Sequence, residues 1–187
     1  MDTPTAPRRP GPTGLDRLLA EADIRDAMAR YARGADRNDL ALLRTAYHAD
    51  ATDSHGYYVG DLDGFERWFS DRHAEVTQSM HFLGNCLIEF DGDDRADVET
   101  YCQAFQRLRD PDEPGMLQDL RVLCRYLDRF ERRAGRWAIA AREVVYETQE
   151  TGQVADSDPF PSGFAVQSHS TSDPVYRRAA ARPAATE

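Results

Sequence analysis

The sequence predicts an α+β fold: a cone-like half-barrel of strongly curved antiparallel sheet, with three helices from the N-terminal half enclosing a pocket. Two observations indicate it. Helical spacing of apolar residues is confined to the first part of the chain, and four long extended runs joined by turn sequences follow it. Such runs are longer than the usual strand of about five or six residues and must twist, so we expect the sheet to curve. Helices on its concave side would close a pocket.

Three stretches have helical character. Residues 15–35 carry apolar side chains at three- and four-residue steps, and residues 38–47 fit a second, shorter helix. In "DGFERWF", Asp63 and Glu66 have the spacing of a capping box. They predict a third helix over about residues 64–76.

Four extended runs follow the third helix. They cover residues 80–90, 95–109, 116–132 and 136–149, and "DGDD", "DPDEPG" and "AGR" join them. These linkers have turn chemistry, so we expect consecutive antiparallel hairpins. The segment "ATDSHGYYVG", between the second and third helices, can add a short strand.

The length of the chain suits one domain. Residues 1–14 are rich in proline, glycine and threonine and predict a disordered arm. The domain is expected over residues 15–150. For residues 151–187, a tail that packs over the pocket, a tail that packs on a neighbouring subunit, and a loose tail all remain open.

Charge and composition exclude several classes of protein. A formal charge of -10 and a pI near 5.0 argue against a nucleic-acid surface, which needs basic patches. The three cysteines suggest neither a disulfide framework nor a zinc site, so we expect buried thiols in a reducing cytoplasm. The sequence contains no apolar run of membrane-spanning length and no signal-peptide pattern, and we expect no membrane partner.

Three polar residues are candidates for acid–base chemistry. His81 opens the apolar run "QSMHFLGNCLIEF", and Tyr31 and Asp36 lie in "RYARGADRND" at the end of the first helix. A carboxylate beside an imidazole fixes its tautomer and leaves the other ring nitrogen as a base, while a tyrosine hydroxyl can stabilise an oxyanion. The alternatives are a histidine satisfied in the core, an aspartate that caps a helix, and a core tyrosine.

Other chemistry has weaker support. His48, His55, His73 and His169 share no metal-ligand spacing, so we expect no metal. The sequence has no glycine-rich phosphate loop and no nucleophile elbow, and we expect no cofactor. Arg142 is either an exposed sheet residue or an anion anchor, and its position in an extended run favours exposure.

Four segments together resemble a known family. They are "IRDAMARYARGADRNDLALLRTAYHADA", "DGFERWF", "SMHFLGNCLIEFDGDDRADVETYCQAF" and "FERRAGRWAIAAREV". They are similar to the SnoaL-like branch of the nuclear transport factor 2-like superfamily over about residues 15–150, and within it to scytalone dehydratases and bile acid 7α-dehydratases. The resemblance implies a cone with a deep apolar pocket, assembled as a homodimer or homotrimer.

The resemblance also implies a set of site residues. Tyr31, Asp36 and His81 match the acid–base positions of the enzymes in this branch. Gln106 stands near the place of a further histidine in many of them, and Arg142 lies near an arginine of the bile acid dehydratases. Independently of the resemblance, alternation along the strand places Asn85 on the same face as His81, without showing which face is concave. Asn85 and Trp68 join Gln106 and Arg142 in the candidate substrate-binding set.

The function implied is a cofactor-free dehydratase or isomerase acting on an apolar small molecule, polycyclic or terpenoid- or polyketide-like, through a His–Asp dyad and a tyrosine. A non-catalytic ligand-binding or assembly subunit is the alternative from another class, because the superfamily includes many proteins without chemistry. A polyketide cyclase is a third reading with the same fold and acid–base pattern.

Overall fold

Four helices and six strands make up the described part of the chain, which is residues 7–157 and 160–180 of a computed structural model. The helices are α1 (Gly14–Asp36), α2 (Leu40–Arg44), α3 (Leu62–Arg72) and α4 (Pro174–Ala180). The strands are β1 (Tyr47–Ser54), β2 (Val59–Asp61), β3 (Val76–Phe90), β4 (Arg95–Arg109), β5 (Met116–Arg133) and β6 (Arg136–Ala155). Within these residues, no helix combines the length and the apolar character that crossing a membrane requires.

The strands form one curved, unclosed sheet in the order β2-β1-β6-β5-β4-β3. Strands β3 to β6 pair as consecutive antiparallel hairpins, so the predicted α+β half-barrel is confirmed. One ladder corrects the prediction of an antiparallel sheet, because β1 pairs with β6 in parallel and makes the sheet mixed. Hairpin reasoning applies only to strands that follow one another, and β1 and β6 are separated by most of the domain.

The third helix differs from its prediction at both ends. Its N-cap is Asp61, whose side chain accepts a hydrogen bond from the Gly64 N–H at 2.8 Å. The predicted capping residues Asp63 and Glu66 instead pair with Arg44 of α2, at 2.8 and 3.0 Å. The helix ends at Arg72, which leaves the following residues to begin β3 earlier than predicted.

Helix α1 packs its apolar stripe into the core. Ile24, Ala27, Met28 and Tyr31 are almost completely buried in a cluster with residues from β1, α3 and the long strands. The first turns of the predicted stripe differ, because Leu15, Leu18 and Leu19 are exposed. The buried part of the helix therefore fixes its C-terminal end, where Tyr31 and Asp36 lie, against the sheet.

The two ends of the described chain contact the domain. Of the predicted disordered arm, residues 1–6 lie outside the described residues, and within the rest Arg9 binds Asp91 in the β3–β4 turn through its backbone N–H at 2.9 Å. After β6, residues 167–176 pack on the C-terminal end of α1 in the same chain: Tyr176 donates to Asp39 at 2.7 Å. The predicted arm and domain boundaries stay predictions.

Candidate active site

A cavity of about 80 Å³ lies between the sheet, the end of α1, α3 and the β1–β2 turn. Its apolar lining includes Trp68, Phe69, Ala104, Leu120, Val122 and Val144. Its polar lining includes Tyr31, His55, His73, His81, Gln106 and Tyr126. These residues identify the concave face of each long strand, which alternation along the sequence left open.

His81 and Asp36 meet at this cavity although they are 45 positions apart in the sequence. The His81 Nδ1 donates to Asp36 Oδ1 at 2.7 Å, and the His81 backbone N–H donates to Oδ2 at 3.0 Å. The Ser79 hydroxyl adds a third hydrogen bond to Oδ1 at 2.9 Å. Because the carboxylate holds the Nδ1 proton, the Nε2 atom of His81 is the ring nitrogen left for proton transfer.

The alternative role of Asp36 as a helix cap does not fit the structure. The N-cap of α2 is Asp39, whose side chain accepts from the Leu42 N–H at 2.9 Å. Asp36 is the last residue of α1, and both of its carboxylate oxygens face β3 instead. Its position therefore serves the contact with His81.

Burial and pairing act in opposite directions on the dyad. Burial disfavours charge on His81, but the hydrogen bond to Asp36 and its negative charge outweigh this, so the pKa of His81 is raised above its usual 6.5. Burial also raises the pKa of Asp36, and here the hydrogen bonds from His81 and Ser79 and the histidine charge outweigh it and lower the pKa. Both shifts favour the imidazolium–carboxylate pair.

We expect this pair to stabilise the fold most between about pH 4 and pH 6.5, the ordinary pKa values of its two groups. The pKa of His81 is raised on folding, so its contribution is complete below about pH 6.5 and is lost as the pH rises through the folded-state pKa. The pKa of Asp36 is lowered, so its contribution is lost as the pH falls through its folded-state pKa. Urea unfolding of the wild type and Asp36→Asn between pH 3 and 9 measures the difference, and a difference independent of pH would contradict the expectation.

A second histidine–aspartate pair, which sequence reasoning missed, reaches the same cavity. Asp53 is buried near the end of β1, and its carboxylate binds the Nδ1 of His55. The Tyr47 hydroxyl donates to the other oxygen of Asp53 at 2.7 Å. The Nε2 of His55 lies 3.3 Å from the Tyr31 hydroxyl. In the sequence, Asp53 and His55 are two positions apart. This spacing places their side chains on one side of an extended segment and could have indicated the pair.

Arg142 corrects the expectation of exposure. Its side chain is fully buried and pairs with the equally buried Asp128 through two hydrogen bonds of 2.7 Å. The guanidinium carbon lies 4.1 Å from the ring centre of Tyr31 and 4.2 Å from that of Tyr126, so two aromatic faces contact the cation. Arg142 does not line the cavity, whereas Tyr31 does. Arg142 therefore packs against Tyr31 without reaching the cavity itself.

The remaining candidate residues divide into two groups. Trp68 and Gln106 line the cavity, and Gln106 lies 3.1 Å from the Nε2 of His73. Asn85 is exposed and outside the cavity lining, which corrects its placement beside His81. The reason is a register shift between Leu83 and Cys86, which interrupts the alternation on which that placement relied.

Two further histidines lie beside the dyad. The Nδ1 of His169, from the segment after β6, donates to the backbone oxygen of Asp36 at 2.9 Å, and His73 contacts the same ring at 3.4 Å. Burial and the neighbouring histidines lower the pKa of His73 to about 3, so it stays neutral. Within the described residues, no three His, Cys, Asp or Glu side chains come together as metal ligands.

Comparison with known proteins places this geometry in a family. Residues 16–143 match the family described as the SnoaL-like domain. The chain belongs to the SnoaL-like family. The match spans the elements that carry the candidate residues, from Tyr31 on α1 to Arg142 on β6. A comparison with curated protein sequences finds no significant match.

Solved structures are similar to this SnoaL-like chain in fold. A type 2 hexachlorocyclohexane dehydrochlorinase is 19% identical with a TM-score of 0.67, and the alignment covers 81% of this chain and all (100%) of that one. A candidate scytalone dehydratase from Novosphingobium aromaticivorans is 20% identical with a TM-score of 0.64, over 81% of this chain and 98% of that one. At this identity the likeness shows the cone fold alone.

Proposed function

We propose that this SnoaL-like protein is a cofactor-free lyase that removes water from an apolar cyclic ketone with a hydroxyl group β to the carbonyl. The observation that carries the proposal is the His81–Asp36 contact, in which the carboxylate holds Nδ1 and leaves Nε2 available in an apolar cavity. An imidazole oriented in this way is a general base suited to neutral pH. The similar solved structures include proteins named for elimination reactions, which supports the same class of chemistry.

The lining of the cavity supports the proposal of an apolar substrate with few polar groups. Trp68, Phe69, Leu120 and Val122 line it with apolar surface, which favours ring carbons over charged groups. We assign the carbonyl oxygen to the Tyr31 hydroxyl, because Tyr31 lines the cavity and its ring packs edge-on against His81, with 6.3 Å between ring centres.

The proposed reaction begins at the carbon next to the carbonyl. The Nε2 of His81 takes the proton from this carbon, and the C–H electron pair forms an enolate whose oxygen accepts a hydrogen bond from Tyr31. The enolate then returns its electrons to form the carbon–carbon double bond while the β C–O bond breaks and the oxygen, once protonated, leaves as water. Asp36 stabilises the imidazolium that forms on His81.

Hydrogen exchange in D₂O tests the first step without knowledge of the natural substrate. We expect the wild-type protein to exchange the α-protons of cyclic ketones such as 1-tetralone and to convert 3-hydroxy-1-tetralone to 1-naphthol, which NMR and fluorescence detect. His81→Gln is the matched control, since glutamine keeps a polar side chain but cannot take the proton. Binding of these ketones without exchange above that of His81→Gln would contradict the proposal and favour a ligand-binding protein.

A further inference from the structure

We propose that the Asp53–His55 pair is the acid of this cavity and delivers the proton that the departing hydroxyl needs. The inference rests on the proposed function and extends it. It assigns removal of the α-proton and protonation of the leaving oxygen to two separate histidines. His81 takes the α-proton on one side of the reaction, and His55 protonates the β-oxygen on the other. Tyr31 contacts both histidines and holds the carbonyl oxygen between them.

The geometry of His55 matches that of His81. Each imidazole lines the cavity and has its Nδ1 against a buried carboxylate. The Nε2 of His55 contacts the Tyr31 hydroxyl at 3.3 Å, so its proton lies beside the group assigned to the carbonyl oxygen. The side chain of His55 is 12% exposed, whereas that of Asp53 is 1% exposed, so the ring reaches the cavity while its carboxylate is shielded from solvent. The Tyr47 hydroxyl donates to the other oxygen of Asp53, which holds the carboxylate against the Nδ1 of His55.

The contacts around His55 argue against a purely structural role for its side chain. The β1–β2 turn is already held by backbone groups, because the His55 N–H donates to the Tyr58 oxygen at 2.8 Å. The Tyr146 hydroxyl donates to the His55 backbone oxygen at 3.1 Å. These bonds position the residue without its ring. The ring and Asp53 are therefore available for a role in the cavity.

The step balances in protons and electrons. The step requires a neutral His81 and a proton on each ring nitrogen of His55. The α C–H electron pair becomes the new double bond, the β C–O pair leaves with the oxygen, and that oxygen takes the Nε2 proton of His55 to form water. His81 then carries the extra proton and His55 is neutral. Proton exchange with solvent restores both, and no oxidant or other co-reactant is needed.

The test compares leaving groups in His55→Gln. Dehydration of 3-hydroxy-1-tetralone needs a proton on the leaving oxygen, whereas elimination from 3-acetoxy-1-tetralone does not, since acetate departs as a stable anion. We expect kcat for dehydration to fall at least about 100-fold in His55→Gln, the usual contribution of a general acid, while acetate elimination and 1-tetralone exchange change less than about tenfold. His48→Gln, a buried histidine bonded to the Glu131 oxygen at 2.9 Å and outside the cavity, is the control.

The outcomes separate this inference from the proposed function. Equal losses for both leaving groups, or no loss for either, would overturn the role of His55 while a working wild-type enzyme keeps the proposed function. A wild type that catalyses neither exchange nor elimination would overturn both. If His55→Gln does not fold, Asp53→Asn replaces it, because asparagine keeps the shape of the side chain that orients His55; the same selective loss of dehydration is then required.

Discussion

Replacing Asp36 with asparagine is expected to lower kcat for dehydration about 10³- to 10⁴-fold with little change in the fold. The carboxylate receives hydrogen bonds from the His81 ring, the His81 backbone and Ser79. An amide of the same shape cannot accept on both of its atoms, so its nitrogen faces a donor and the Nδ1–H tautomer of His81 loses its partner. The base is then misoriented, and the imidazolium that forms is no longer stabilised.

Steady-state kinetics of three variants test this expectation. His81→Gln should lose as much as Asp36→Asn, and the double variant should lose hardly more than either, because the two residues act as a unit. In the wild type, kcat/KM should rise with pH through the raised pKa of His81, since the base must be neutral. Asp39→Asn is the matched control, because asparagine also caps a helix. Near-normal turnover in Asp36→Asn would contradict the dyad.

Removing one member of the buried Arg142–Asp128 pair is expected to lower the free energy of unfolding by about 3–5 kcal/mol. Both side chains are fully buried, so Arg142→Met leaves the charge of Asp128 without its partner. Arg142 stays charged: burial disfavours its charge, but Asp128 and the neighbouring tyrosines hold its pKa well above the usual value. Its Nη1 has no hydrogen-bond partner among the described residues, so the contacts with Tyr31 and Tyr126 matter to it.

Urea unfolding of single and double variants measures this effect. Arg142→Met and Asp128→Asn should each destabilise the protein, whereas Arg142→Met combined with Asp128→Leu should recover much of the loss, because the double variant contains no unpaired buried charge. Arg125→Met is the matched control, since Arg125 pairs with Glu99 and Glu147 in partly exposed positions and its loss should destabilise the protein far less. A loss at Arg142 no larger than that at Arg125 would contradict the expectation.

The long elements of the fold could be predicted because their signals are local. The bounds of β4 match the prediction, and those of β5 differ by one residue, since turn sequences end both strands. The parallel β1–β6 ladder could not be predicted, because no short stretch of sequence records which distant strands become neighbours. The extension of β6 to Ala155 was also missed: pairing with β5 continues it through residues with no alternating pattern.

Contacts between distant side chains in the candidate site could not be predicted from local sequence either. His81 and Asp36 were candidates on chemical grounds, and the family resemblance supported their pairing; the structure brings them together. The metal-ligand spacing of the histidines says nothing about His55, whose partner Asp53 lies two residues earlier in the chain. The sequence favoured exposure of Arg142 because its partner Asp128 lies on another strand. Nothing local in the sequence indicates a buried ion pair.

The proposed chemistry and the shape of the cavity come from different parts of the chain. Tyr31, Asp36, Asp53, His55 and His81 all lie within the first half of the sequence, whereas β4, β5 and β6 contribute Ala104, Leu120, Val122 and Val144 to the walls. Substitutions in the long hairpins can therefore change which molecules fit while leaving the proton-transfer groups in place. Recombination at the β3–β4 turn would therefore exchange the strand walls of the cavity while keeping the proposed proton-transfer groups.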